Sequence, residues 1–185
     1  PNGYLRMYGQ YYPDDFVNFW GVPNLLLQKL PAPVFTATTK FSAVLFNEGD
    51  KAGLIMMGRD YAHISLVKTK GGYAIEYATC QDAEQETPEQ IVSVTELKKI
   101  KVNEKYNYKT PIPDAEIWLR VKVADGGICT FAYSVDGKHF QSFPETFKAR
   151  QGKWIGAKTG LFIMNRDEGS SRSWVDVDWF RIAMS

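Results

Sequence analysis

The sequence predicts an all-β fold, two antiparallel sheets packed face to face as a β-sandwich, on three observations. Apolar and polar residues alternate with period two over many short segments, Gly, Asp and Asn turn signals separate those segments, and no stretch carries a helical apolar stripe of useful length. Strands recurring at short spacing between turns are the pattern of a sandwich or barrel, and two packed sheets are the economical solution.

Composition agrees with one compact unit. A chain of 185 residues buries a core without splitting in two, and 44% hydrophobic with 23% charged residues is ordinary globular usage. A net charge of +1 gives no field with which to hold nucleic-acid phosphates or an anionic membrane surface, so neither is expected as a partner. No segment approaches transmembrane length. Five Trp, ten Tyr and eleven Phe make 14% of the chain aromatic, which suits both sheet cores and stacking platforms for sugar rings.

Taken in order, residues 4–15 are rich in aromatics but show neither alternation nor helical period, and read as an irregular segment lying across a surface; residues 18–24 continue it. Regular structure begins at Leu25, where Pro31 and Pro33 argue against a central strand. Alternation over 35–41 and again over 52–57, parted by the polar turn 47–50, predicts an antiparallel pair. Residues 63–69 and 73–78 form a hairpin across Gly71 and Gly72, which supply the positive φ of a tight turn. The acidic run 81–89 lacks the spacing of a calcium loop and reads as solvated. Strands at 117–123, 128–135 and 139–143 follow in a meander whose turns hold Asp125-Gly126-Gly127 and Asp136-Gly137, and strands at 160–164 and 174–182 close the chain around a polar loop.

Chemistry is sparse. Asp176 and Asp178 put two carboxylates on one face of the last strand, but no Glu joins them and hydrogen bonds to neighbouring loops account for them equally well. The two histidines, His63 and His139, read as surface or strand-end residues, and no phosphate loop or dinucleotide fingerprint is present. No catalytic residue is assigned. Cys80 and Cys129 are small core residues or, in an oxidising compartment, a single bridge; sequence leaves both open. Trp154, in the glycine-flanked stretch 152–158, either plugs the core or offers a face to a ligand, whereas Trp118, Phe131, Tyr133 and Trp179 lie within strands and read as core or inter-sheet packing.

Together the segments VPNLLLQK (22–29), PAPVFTATT (31–39), AGLIMMGRDYA (52–62), YSVDG (133–137), GKWIGAK (152–158) and VDWFR (177–181) resemble the C-terminal module of family-43 glycoside hydrolases, the β-xylosidase and α-L-arabinofuranosidase group. The resemblance covers nearly the whole chain in order. It implies a concanavalin A-like jelly roll behind a five-bladed β-propeller that carries the catalytic carboxylates. Residues 1–24 would then be the connector from that propeller, packed on a sandwich of residues 25–185, with Pro1 the cut end of a longer periplasmic or extracellular enzyme. It further implies a substrate contact from Trp154, on a loop reaching the propeller's pocket, and a structural calcium at Asp178; no other cofactor is expected.

The role implied is that of a non-catalytic accessory domain, inactive alone but part of an enzyme of xylan- or arabinan-type plant polysaccharides, with the propeller and an oligosaccharide or polysaccharide as partners. Such a domain should expose an apolar patch where the propeller docks. Two alternatives stand beside it: an independent carbohydrate-binding module with coplanar exposed aromatics, and a free-standing β-sandwich glycosidase with two facing carboxylates in a cleft.

Overall fold

The structure is a computed structural model that describes residues 3–12, 15–20, 22, 25–107, 110–152, 156–166, 168 and 172–184. Fourteen strands are found among them: β1 (Leu5–Tyr8), β2 (Gln10–Tyr11), β3 (Leu25–Lys29), β4 (Phe35–Val44), β5 (Lys51–Met57), β6 (Tyr61–Thr69), β7 (Gly72–Cys80), β8 (Gln90–Glu96), β9 (Lys101–Asn107), β10 (Thr110–Ala124), β11 (Ile128–Ser134), β12 (Gln141–Lys148), β13 (Lys158–Asn165) and β14 (Trp174–Met184). They form two seven-stranded sheets. Sheet A runs β1-β14-β4-β10-β11-β12 with β9 also on β10, and sheet B runs β2-β13-β5-β6-β7-β8 with β3 also on β13. All pairings are antiparallel except the short β2–β13 contact.

β4 shows why these residues make a sandwich. Its strict alternation of buried and half-buried positions puts Phe35, Ala37 and Phe41 inside, while Thr36, Thr38, Lys40 and Ser42 face out. Phe41, Ile117, Leu119 and Phe131 of sheet A meet Leu54, Ile64, Leu66, Ile75 and Tyr77 of sheet B in one contiguous core. Truncating a fully buried ring such as Phe131 to alanine would cost about 3–5 kcal/mol. Cys80 and Cys129 are both buried and free.

Four sequence expectations are corrected. Strands β4 and β5 are not partners: β4 pairs with β10 and β14, and β5 with β6 and β13, so the turn at 47–50 crosses between sheets instead of closing a hairpin. The opening segment is regular in its first part, where β1 joins sheet A beside β14 and β2 joins sheet B beside β13, whereas residues 12, 15–20 and 22 carry no strand or helix. Trp118 and Trp179 are not core. They flank Lys40 in one row on the outer face of sheet A, because alternation gives the inner positions to Ile117, Leu119 and Phe180. The acidic run ends not in solvent but in a buried carboxylate, Glu89, described below. Strands β8 and β9 and the first half of β10 went unread: β9 and β10 carry Lys and Pro with little alternation, and β8, QIVSVTE, is an almost wholly exposed strand with adjacent Ile91 and Val92.

A second, smaller core lies on the outer face of sheet B. Tyr12 and residues 15–20 lie over it, burying Tyr12 and Phe19 against Ile55, Tyr61, Phe162 and Met164. Phe19 meets Tyr61, His63 and Phe162 at ring centroids 5.6, 5.4 and 4.7 Å apart. This cover is what turns an otherwise solvated sheet face into an interior.

Candidate functional site

Beneath that cover the outer face of sheet B presents a run of polar side chains. On β6, Tyr61, His63 and Ser65 alternate outward while Ala62, Ile64 and Leu66 enter the main core. Glu76 stands opposite Ser65 on β7, Lys51 reaches in from β5, and Glu89 arrives from the loop before β8. The expectation of a surface or strand-end histidine at 63 is overturned: His63 is fully buried within β6, because Phe19 and its neighbours roof the strand.

The cluster is tightly wired. Lys51 Nζ donates to Glu76 Oε1 at 2.6 Å and lies 3.6 Å from Glu89 Oε1. His63 Nε2 and the Tyr61 hydroxyl meet Glu89 Oε2 at 3.0 and 2.8 Å, and the same hydroxyl accepts the Phe19 amide at 3.1 Å. Burial alone would raise the Glu89 pKa, but the charge and hydrogen bond of His63, then Lys51 and Tyr61, outweigh it and hold the carboxyl down at about 2. Desolvation drives the Tyr61 phenol well above its usual range, so it serves as a neutral donor. Asn18 clamps the roof to the acidic loop by donating to the carbonyls of Ala83 and Thr87 at 2.9 and 2.8 Å, and Glu89 N donates to Val17 O.

Ligating atoms of His63, Glu76 and Glu89 lie within 4.8 Å of one another. The ammonium of Lys51 already stands between the two carboxylates and offsets one of their two charges from within the chain. Beside it opens a pocket of about 490 Å³, with Lys51, Glu76 and Glu89 in its lining and Phe16, Pro88 and Ile91 among its walls.

Of the residues marked from sequence, Trp154 lies outside the described residues; nearby Arg150 is tied to Asp60 at 2.6 Å and also to Asp82. Asp178 is half exposed on β14 and pairs with Lys40 at 3.0 Å. Its neighbour Asp176, 4% exposed, is bound by Arg6 at 2.7 Å and Lys105 at 2.7 Å. Burial opposes ionisation of Asp176, yet those two cations keep its pKa below the ordinary carboxylate value. The donor set at Asp178 does not fit a calcium ion, since basic side chains already claim both carboxylates. Both thiols are poor nucleophiles, pushed up by burial to about 11 for Cys80 and about 12 for Cys129. The His63–Glu89 pairing carried no sequence signal, because it joins a strand to a loop through an intervening hairpin.

At the end of the sandwich near β1, an apolar cleft of about 400 Å³ lies between the sheets, with Tyr4, Leu5, Leu26, Trp179 and Phe180 among its lining. Leu5 and Leu26 are each 50% exposed on its rim.

A family model described as the β-xylosidase C-terminal concanavalin A-like domain matches residues 1–183. The chain belongs to this family. A β-xylosidase of Formosa agariphila is 46% identical to it over 50 residues, 27% of this chain and 8% of that protein. A bifunctional GH43-CE protein of Bacteroides eggerthii superposes over 100% of the chain and 21% of its own length, at 20% identity and a TM-score of 0.78. A xylan β-1,4-xylosidase of Bacillus halodurans superposes over 97% of the chain and 32% of its own, at 14% identity and a TM-score of 0.71. The chain therefore spans a third or less of the length of each of these relatives. As a member of the family, it has the concanavalin A-like sandwich that the resemblance implied.

Proposed function

We propose that this β-xylosidase C-terminal domain is a non-catalytic accessory domain of a family-43 glycoside hydrolase of xylan- or arabinan-type polysaccharides, where it stabilises a catalytic propeller and shapes the rim of its active site. The observation that carries this reading is the apolar cleft beside β1, whose half-exposed Leu5 and Leu26 leave a hydrophobic surface uncovered. Uncovered apolar area of this kind suits a partner domain better than solvent. The family match and the greater length of the relatives support the same view. A rim contact from Trp154 belongs to the proposal.

The test uses the full-length enzyme. Leu5→Asp with Leu26→Asp should leave the isolated domain's melting temperature within a few degrees of wild type, yet make domain and propeller melt separately and lower kcat/KM on aryl xyloside. Trp154→Ala should raise KM with little change in melting. Coincident melting and unchanged kinetics in both variants would remove the proposal.

A further inference from the structure

The pocket beside Glu89 differs in chemistry from the apolar cleft. Among the described residues, four charged side chains line it, Lys51, Glu76, Glu89 and Arg166, two positive and two negative, so their formal charges cancel. Its floor nevertheless carries carboxylate oxygens and an ammonium held rigidly by their mutual bonds, while Phe16 and Ile91 supply apolar wall. Two polar atoms of the same sheet face, His63 Nδ1 and the Ser65 hydroxyl, are fully buried and have no hydrogen-bond partner among the described residues. Ser65 sits in the row between Gly53, which has no side chain, and Glu76. Neither residue is part of the pocket's lining, so Lys51, Glu76 and Glu89 are the groups that offer polar atoms to a ligand there.

We propose that this pocket binds a neutral polyhydroxylated ring, a pentose-class sugar unit, whose hydroxyls engage Glu76, Glu89 and Lys51 while its C–H face rests on Phe16 and Ile91. Opposed charges, firm hydrogen-bonding groups and an apolar wall together suit a polyol, whereas an anion or a cation would meet one repulsive partner for each attractive one. A volume of about 490 Å³ holds more than one such ring. The choice of a pentose rests on the proposed function; the pocket's preference for a neutral polyol does not.

The ligand is D-xylose or xylotriose added to the chain, read by chemical-shift changes in ¹H–¹⁵N spectra with D-glucuronate as the charged counterpart. Saturable shifts at the amides of Lys51, Glu76 and Ile91, with a Kd on the order of 1 mM, are expected for a neutral sugar. Xylose saturating the site would identify a released monosaccharide as the source, and response to xylotriose alone a polysaccharide chain; either supports the site. Ile91→Arg, on the exposed wall, should weaken binding at least ~10-fold without moving the melting temperature, and Glu76→Gln should do so even if it lowers stability. Absence of shifts at tens of millimolar, or glucuronate binding as tightly as the neutral sugar, would overturn the proposal. A flat titration would leave the docking role intact, because that role is decided by Leu5 and Leu26.

Discussion

Glu89 ties two chain segments to one sheet. It receives His63 and Tyr61, lies within reach of Lys51, and its own amide holds Val17. Its pKa falls from an ordinary 4.5 to about 2 in the folded chain, so the stability it confers is complete above the unfolded value and is lost as pH drops through that interval. Urea midpoints measured between pH 5 and 2, ordinary conditions for acid unfolding, should therefore decline more steeply in wild type than in Glu89→Gln, where Asp176 still contributes. At neutral pH that variant should lose about 1–3 kcal/mol, since Lys51 and His63 keep their burial but lose a charged partner. None of this was legible from residues 81–89, where Glu89 resembles the acidic residues before it. What sets it apart is a roof supplied by Tyr12 and residues 15–20, and sequence patterning within the loop cannot report a cover that comes from elsewhere. His139, by contrast, was legible as a surface residue and pairs in solvent with Asp136.

At the scale of elements, hairpins were readable and long-range pairings were not. β6 and β7 meet across Gly71-Gly72, and β10 and β11 across Asp125-Gly126-Gly127, because turn chemistry fixes neighbours locally. The partners of β4, β5, β13 and β14 depend on which sheet each joins, and alternation is the same in either. One glycine marks such a pairing. A Cβ on Gly160 would lie 1.9 Å from Leu26 O, so Gly160→Ala should push β3 from β13. A loss of about 1–3 kcal/mol is expected from overpacking of this kind, with faster amide exchange at Leu25–Lys29 as the local signature. Unchanged exchange there would show that the strand shifts as a body.

The whole molecule was legible as a two-sheet sandwich because period-two patterning dominates the sequence, and the family's fold confirms it. The buried charged cluster was invisible for the opposite reason: it is built from single residues of β5, β6, β7 and a loop, each unremarkable alone. The question of a Cys80–Cys129 bridge is settled at this scale. The thiols lie in strands of opposite sheets and bond to the carbonyls of Thr87 and Gly127 respectively. Melting temperature should accordingly be the same with and without reductant, and Cys80→Ala with Cys129→Ala should retain the fold at a small packing cost. A reductant-dependent drop would contradict free thiols.

The first strands carry a mechanical consequence. β1 lies in one sheet and β2 in the other, with Gly9 alone between them and its amide bonded to Ser173 O. Tension applied ahead of Tyr4 would thus load β1 along its length against β14, in shear across several hydrogen bonds, before reaching β2. Whatever pulls on this end of the chain pulls first on one sheet and then, one residue later, on both.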